Sequence, residues 1–155
     1  MDLDELYREV ILDHNQNPRR RGHVEQPTVV VGLHNPTCGD QVVLELRVRD
    51  GVIEDIAFSG QGCSISMASA SMLCEAVAGH SLEAARALAE DFPDFLTGRR
   101  AEPPPGEWEA LAGVKKFPAR VKCATLAHNA LKKALADSGL ARGAPAGPEE
   151  PSERS

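Results

Sequence analysis

The chain has 155 residues, of which 17 are basic and 23 acidic, so its formal net charge is −6 at pH 7. This length suits one compact domain, and the acidic balance disfavours nucleic acid and anionic membrane as partners. No run of about 18 apolar residues is present, and acidic side chains stand where a secretion signal would be basic, so we expect a cytoplasmic protein.

The N-terminal segment predicts an amphipathic helix. Apolar side chains recur at three- and four-residue intervals over residues 2–15, and acidic residues occupy the first turn. Asn17-Pro18 and Gly22 end the helix and place three arginines, residues 19–21, on a loop. We expect this loop to meet an acidic partner and His14 beside it to be exposed.

Three β-branched segments follow between Thr28 and Gly60. Turn signals at Asn35-Pro36 and Asp50-Gly51 separate them, which predicts three antiparallel strands. The Asp50-Gly51 pair is typical of a tight hairpin, so the second and third strands should be neighbours. The segment Cys38-Gly39-Asp40 then occupies the turn between the first two strands.

Two helices are predicted after the third strand. Residues 63–78 are rich in small side chains and methionine, and Gly79 closes this segment. Ser81 has the character of an N-cap and opens the next helix, for which we expect a break near Pro93. Cys74, in the first of these helices, has apolar neighbours and is interpreted as a core thiol.

The last helix is predicted to begin at Pro118 and to run to about Asp137. Its apolar stripe begins at Cys123 and recurs at helical spacing, so this face should meet the core. His128 is about 140° around the helix from Cys123 and is therefore predicted to lie at the surface.

The remaining segments determine the predicted domain organisation. Residues 97–113 contain a proline-rich run and Trp108, and they are predicted to form a mostly irregular insert in which Trp108 packs against the helices. Residues 140–155 lack large apolar side chains and are expected to be disordered. We therefore predict one α+β domain at residues 1–139.

Three cysteines fall at predicted element ends: Cys38 on a turn, Cys63 at a helix start and Cys123 in the first turn of the last helix. A helix N-terminus favours the thiolate, which is the form that binds metal. Asp40 is close enough to Cys38 in the sequence for its carboxylate to bind the same metal ion, although it could also be an ordinary turn residue. The spacing matches no zinc-finger pattern, so the residues alone leave a metal site and ordinary cysteines open.

Arg120 and Lys122 flank Cys123 in the sequence. A cation is slightly unfavourable in the first turn of a helix because the helix dipole is positive there. Their position therefore favours a functional role, such as balancing a negatively charged site.

Three blocks carry a family resemblance that covers roughly residues 1–137: NPTCGD at 35–40, GQGCSISMASAS at 60–71 and KCATL at 122–126. With these blocks, and with DHNQNPR at 13–19, the chain resembles the NifU/IscU-like family of iron–sulfur cluster assembly proteins. Lys122 replaces a histidine that scaffold members carry, and the insert separates Cys63 from Cys123. Both features resemble the SufU branch.

The resemblance implies a SufE/NifU-like fold, with a three-stranded antiparallel sheet and helices on one face. It also implies a zinc-dependent sulfurtransferase that serves a SufS-like cysteine desulfurase and downstream Suf assembly proteins. The implied zinc ligands are Cys38, Asp40, Cys63 and Cys123. Cys38 would be the catalytic cysteine that accepts sulfur, and the implied contacts to the partner are Arg120, Lys122 and Arg19.

Two alternatives use the same residues. One is a scaffold on which an iron–sulfur cluster is built, because thiolates also suit such clusters. The other is a structural metal site in an adaptor protein. Closed structural sites use Cys and His, so the carboxylate of Asp40 favours an exchangeable site over a structural one.

Overall fold

The computed structural model describes residues 3–36 and 39–137, and the first five of these by their backbone alone. These residues form four α-helices, three strands and one 3-10 helix. In chain order they are α1 (Leu3–Gln16), β1 (Val29–Asn35), β2 (Asp40–Arg49), β3 (Val52–Gln61), α2 (Ser64–Val77), α3 (Leu82–Leu96), the 3-10 helix (Trp108–Lys116) and α4 (Pro118–Asp137).

The three strands form one antiparallel sheet in the order β1-β2-β3. Asp50 and Gly51 have φ angles of 54° and 75°, so both central residues of the hairpin are left-handed. Glycine and aspartate tolerate this conformation better than β-branched residues, and it matches the twist of the flanking strands. The predicted hairpin is confirmed.

Helices cover one face of the sheet. The side chains of Val42, Leu44 and Leu46 alternate along β2 and are fully buried; α4 packs on β2, and α2 packs on β3. Helices α2 and α4 are also joined directly, since Ser69 Oγ donates a hydrogen bond of 2.6 Å to the carbonyl of Ala124. Helix α1 packs on α2, and α3 packs on α4. The predicted α+β fold is confirmed.

Helix α3 does not break at Pro93, contrary to the sequence-based expectation. It is continuous from Leu82 to Leu96 with Pro93 inside its last turn. Proline removes one backbone donor, but the helix ends only three residues later, where Thr97 donates both its N–H and its hydroxyl to the carbonyl of Pro93. The missing bond therefore lies near the end of the helix, where it interrupts little.

The predicted insert is irregular only in its first part. Residues 97–107 form turns and bends, whereas the 3-10 helix begins at Trp108. Trp108 is 2% exposed, and its ring centroid lies 4.6 Å from that of Phe92. The indole therefore packs in the core, as expected, and joins this segment to α3.

His14 is buried, so the prediction that it is exposed is wrong. Its Nδ1 lies 2.7 Å from Ser71 Oγ and its Nε2 lies 3.2 Å from a carboxylate oxygen of Glu107. A carboxylate only accepts, so we assign the ring proton to Nε2, and Nδ1 then accepts from Ser71. The side chain ties α1 to α2 and to the insert, which periodicity in α1 could not indicate.

His128 is also buried, and the prediction that it lies at the surface is wrong. Its ring lies 4.5 Å from that of Phe92 and 4.8 Å from that of Trp108, measured between centroids. Helix α4 contacts the sheet, α2, α3 and the 3-10 helix, so apolar neighbours surround it on most sides. A rotation of about 140° from Cys123 therefore still points into the core.

Some predictions concern the chain ends. The tail predicted to be disordered, residues 140–155, lies outside the described residues, so the boundary at residue 139 remains a prediction.

Within residues 3–36 and 39–137, no helix combines the length and hydropathy needed to cross a membrane.

Candidate metal centre

One edge of the sheet brings together residues that are distant in the sequence. Strand β2 begins at Asp40 and the antiparallel strand β3 ends at Gln61, which pairs with Gln41. Helix α2 then begins at Ser64. The start of β2 and the start of α2 therefore meet, which places Asp40 beside Cys63.

Asp40 and Cys63 are held by a direct hydrogen bond. Asp40 is 0% exposed, and its Oδ1 accepts the backbone N–H of Cys63 at 2.9 Å. Its second oxygen, Oδ2, lies 3.9 Å from Cys63 Sγ. Cys63 is the N-cap of α2, and its sulfur accepts the backbone N–H of Ser66 at 3.5 Å. Both the carboxylate and the sulfur are thus oriented by backbone donors at a helix N-terminus.

Cys123 reaches the same place from α4. It is the sixth residue of that helix, and so lies in the second turn rather than in the predicted first turn. The helix dipole therefore stabilises its thiolate less than expected, because that effect fades beyond the first turn. The hydrogen bond between Ser69 of α2 and Ala124 of α4 holds the two helices together at the residue that follows Cys123.

The donor atoms of Asp40, Cys63 and Cys123 all lie within 4.8 Å of one another. In a tetrahedral site with Zn–S of about 2.3 Å and Zn–O of about 2.0 Å, a sulfur and an oxygen lie about 3.5 Å apart. The separation of 3.9 Å between Asp40 Oδ2 and Cys63 Sγ is close to this value, and all three donor atoms could reach one ion after a contraction of about 1 Å or less. Cys38, the predicted fourth donor, lies outside the described residues.

The carboxylate of Asp40 gives an independent test of this fit. It is fully buried, yet no arginine, lysine or histidine pairs with it among residues 3–36 and 39–137. A buried carboxylate without a compensating charge is costly. A divalent cation between this oxygen and the two sulfurs would supply that charge, so the residues present fit a metal ion.

The predicted core thiol is confirmed. Cys74 is fully buried in α2, and desolvation by burial raises the pKa of its thiol far above the ordinary value. A thiol of this kind is inert as a nucleophile and as a ligand. It is not part of the cluster with Cys63.

An apolar groove lies beside the metal centre, lined by Ile11, Leu12, Ala110, Gly113, Val114 and Phe117. Phe117 is 58% exposed, more than any other large apolar side chain among the described residues, and Leu12 of the same groove is 46% exposed. Arg120 lines one part of the groove, while Ser64 and Ile65, next to Cys63, line another. The groove therefore reaches the residues that follow Cys63 in the chain.

The predicted partner-contacting residues differ in their surroundings. Arg120 and Lys122 are exposed, and neither has an ion pair within the described part of the chain. Arg19 is only 31% exposed and pairs with Asp13 at 2.7 Å and with Glu75 at 3.6 Å. The hydrogen bond to Arg19 also lowers the pKa of Asp13. Arg19 is thus engaged within its own chain.

Sequence reasoning missed two residues of this site, Gly62 and Ser66. Ser66 donates its hydroxyl to the carbonyl of Cys63 at 3.1 Å, and it is buried. Gly62 lies directly against Asp40. The sequence carries only a weak signal for them, because a run of small residues after a strand is equally typical of close helix packing.

Comparisons with known proteins agree with this architecture. The family model described as the NifU-like N terminal domain matches residues 6–139. The zinc-dependent sulfurtransferase SufU of Bacillus subtilis (strain 168) is 47% identical over 137 residues, covering 87% of this chain and 92% of that protein. The iron–sulfur cluster assembly scaffold protein IscU of Streptococcus pyogenes is 47% identical over 142 residues, covering 90% and 89%.

A solved structure gives the same fold. The N-terminal part of a nitrogen-fixing NifU-like protein from Brucella abortus superposes with a TM-score of 0.79 at 26% identity, over 92% of this chain and 99% of that one. Sequence and backbone similarity thus extend over almost the whole described part of the chain. The chain belongs to the family of the NifU-like N terminal domain.

Proposed function

We propose that this chain is a zinc-dependent sulfurtransferase, which accepts persulfide sulfur from a SufS-like cysteine desulfurase for iron–sulfur cluster assembly. Downstream Suf proteins would receive the sulfur. The observation that carries this proposal is the convergence of Asp40, Cys63 and Cys123 within 4.8 Å at one edge of the sheet. The similarity to a relative named as a zinc-dependent sulfurtransferase supports it.

The zinc ligands in this proposal are Cys38, Asp40, Cys63 and Cys123. Three thiolates and a carboxylate around a divalent ion leave a charge of about −2, which a partly buried site must balance. The exposed cations of Arg120 and Lys122, on the helix that carries Cys123, can offset it. When bound, zinc would keep the thiolates deprotonated and shield them from oxidation.

The transfer step is an exchange between a thiolate and a persulfide. The Cys38 thiolate attacks the outer sulfur of the desulfurase persulfide, a new S–S bond forms on Cys38, and the desulfurase cysteine leaves as a thiolate. The exchange has no net gain or loss of electrons and needs no general base. Cys123 is buried, and the sulfur of the half-buried Cys63 accepts the Ser66 N–H, so Cys38 is the proposed sulfur acceptor.

The desulfurase would dock on the groove beside the metal centre and on the cations of Arg120 and Lys122. The groove offers apolar contact through Phe117, and the cations select an acidic partner surface. Arg19 would first have to exchange its own carboxylate partners, Asp13 and Glu75, for those of the desulfurase. We therefore assign the larger part of the docking to Arg120.

A cluster scaffold is the second candidate function, and one comparison favours it. The relative from Streptococcus pyogenes is named a scaffold protein and is as similar as the sulfurtransferase. The same four ligands could hold an iron–sulfur cluster. Lys122 argues against it, because a protonated lysine beside Cys123 has no lone pair with which to bind a metal.

The proposal is tested by cysteine turnover. The zinc-loaded chain is added to a SufS-like desulfurase with iron excluded and reductant limited, and alanine formation is followed. We expect turnover to rise steeply with added chain and sulfur to appear on Cys38 by mass spectrometry. If turnover does not rise, while iron and sulfide build a stable cluster on the chain, the scaffold function replaces the sulfurtransferase.

Replacing Arg120 by alanine is expected to raise the chain concentration needed for half-maximal turnover by about tenfold. The reason is the loss of one cation at the docking surface. Zinc content should change little, because Arg120 is not a ligand and Lys122 still offsets part of the charge of the site. Arg99→Ala is the control, since Arg99 is also an exposed arginine but follows the C-terminus of α3 and pairs with Asp94. Equal curves for the two variants would remove Arg120 from the docking surface.

A further inference from the structure

Gly62 lies against Asp40 and Ser66 with no room for a side chain. A methyl group at position 62 would lie 2.5 Å from Asp40 Oδ1, 2.6 Å from Ser66 Oγ and 3.0 Å from Asp40 Cβ. All three distances fall far inside van der Waals contact. The φ angle of Gly62 is not in the left-handed region. Glycine is therefore needed here for space and not for backbone conformation.

The position of Asp40 gives this lack of space a chemical consequence. Its Cα is set by the pairing of Asp40 with Asn35 in the sheet. Its carboxylate fills the space next to Gly62. Oδ1 accepts the Cys63 N–H, and Oδ2 faces Cys63 Sγ. A methyl group contacts both the carboxylate and the Cβ, so rotating the carboxylate alone could not relieve the clash. The whole side chain would have to turn away.

We propose that Gly62 is a positioning residue of the metal centre, because its missing side chain lets the Asp40 carboxylate lie against the Cys63 N–H with one oxygen facing the sulfurs. This inference rests on the metal site of the proposed function and adds a residue that is not a ligand. Gly62 thereby sets which oxygen of Asp40 is available to the ion. Residues that orient a ligand typically contribute a factor of about 10 to 100 to metal affinity.

Ser66 is the second group that a side chain at position 62 would displace. Its hydroxyl donates to the Cys63 carbonyl at 3.1 Å, and its oxygen lies 3.8 Å from Cys63 Sγ. A methyl group at Gly62 would therefore disturb the N-cap as well as the carboxylate. The two effects can be separated, because Ser66→Ala removes the hydroxyl and its contact with position 62 while leaving Asp40 in place.

The test measures zinc affinity of the full chain by competition with a chromophoric chelator. We expect Gly62→Ala to bind zinc about 10- to 100-fold more weakly than the unmodified chain. Gly32→Ala is the matched control, since a methyl group there meets its nearest atom, Val43 Cγ2, at an ordinary 3.5 Å. Gly32→Ala should bind zinc within about twofold of the unmodified chain.

Cobalt provides a readout that a general loss of stability would not produce. In the Co²⁺-substituted Gly62→Ala chain, the thiolate-to-metal absorption should persist while the visible ligand-field bands shift, because the oxygen donor is displaced and the sulfurs remain. Asp40→Ala should show the same shift. Adding Gly62→Ala to Asp40→Ala should weaken zinc binding by less than about threefold more, since the displaced group is already gone.

Each outcome decides the proposal. Equal zinc affinity and an unchanged cobalt spectrum in Gly62→Ala overturn it, even if the chain stimulates the desulfurase. If Gly62→Ala does not fold, Gly62→Ala/Ser66→Ala is compared with Ser66→Ala, and equal affinities there overturn it as well. An unmodified chain that does not hold zinc overturns both this inference and the proposed function. If zinc is held as expected but the desulfurase is not stimulated, the role of Gly62 stands and the sulfurtransferase proposal fails.

Discussion

Replacing Cys38 by alanine is expected to lower desulfurase-stimulated cysteine turnover by about 100-fold or more and to leave no persulfide on the chain. Alanine has no sulfur to attack the persulfide. Cys63 is half-buried, and its sulfur accepts a hydrogen bond from the Ser66 N–H. Cys123 is buried. We therefore expect neither cysteine to replace Cys38 as the nucleophile. Turnover and mass spectrometry of the chain after one exposure to the persulfide desulfurase measure this result.

Cys74→Ala provides the control for Cys38→Ala. It also removes one thiol, but a fully buried one whose raised pKa keeps it protonated, so acceptance of sulfur should persist. Persulfide formation on the Cys38→Ala chain would remove Cys38 as the acceptor. General unfolding of that variant, seen by circular dichroism, would instead favour the structural metal site in an adaptor.

The second large effect is expected at acidic pH and arises from His128. Neither ring nitrogen has a hydrogen-bond partner among the described residues, and burial, with a smaller contribution from Lys132, lowers the pKa of His128 to about 3. The ordinary pKa is about 6.5, so between these values the unfolded chain binds the proton and the folded chain does not. The free energy of unfolding is therefore not lowered by His128 above about pH 6.5. Below that pH, it falls by about 1.4 kcal/mol per pH unit as the pH drops toward 3.

The variant His128→Leu isolates this contribution, because leucine has a similar volume and does not titrate. The free energy of unfolding in urea is measured for both chains at pH 7, 6, 5 and 4. The variant should become more stable relative to the unmodified chain as the pH falls. The effects of carboxylates and metal ligands are the same in both chains and cancel in the difference between the two free energies of unfolding. His34→Leu is the control, since His34 is exposed. A difference that stays constant from pH 7 to 4 would contradict the assignment to His128.

The elements of the fold follow from local signals in the sequence. The hairpin at Asp50-Gly51 requires two left-handed residues, and the first position of α4 favours Pro118, because the backbone N–H that proline lacks would have no partner within the helix. Both requirements concern residues that are adjacent in the chain. The break expected at Pro93 did not occur for a reason that is also local, namely its distance from the end of α3. Local rules therefore located the elements but not every detail of their ends.

The candidate site was predictable only as a set of residue types. Cysteine and aspartate at element ends, together with the family resemblance, select Cys38, Asp40, Cys63 and Cys123. The fold brings the last three together, and Cys38 lies outside the described residues. The hydrogen bond from the Cys63 N–H to Asp40 joins residues 23 positions apart, and no spacing rule indicates it. The space that Gly62 leaves for the carboxylate is likewise visible only when both segments are in place.

The sequence by itself determined the α+β class, the order of the elements, the core thiol Cys74 and the residue types of the metal centre. Only the tertiary structure decided the burial of His14 and His128 and the orientation of Asp40. The physical reason is that periodicity reports one apolar face of an element, whereas burial depends on how many other elements pack around it. Helix α4 is covered on most sides by segments that lie far from it in the chain.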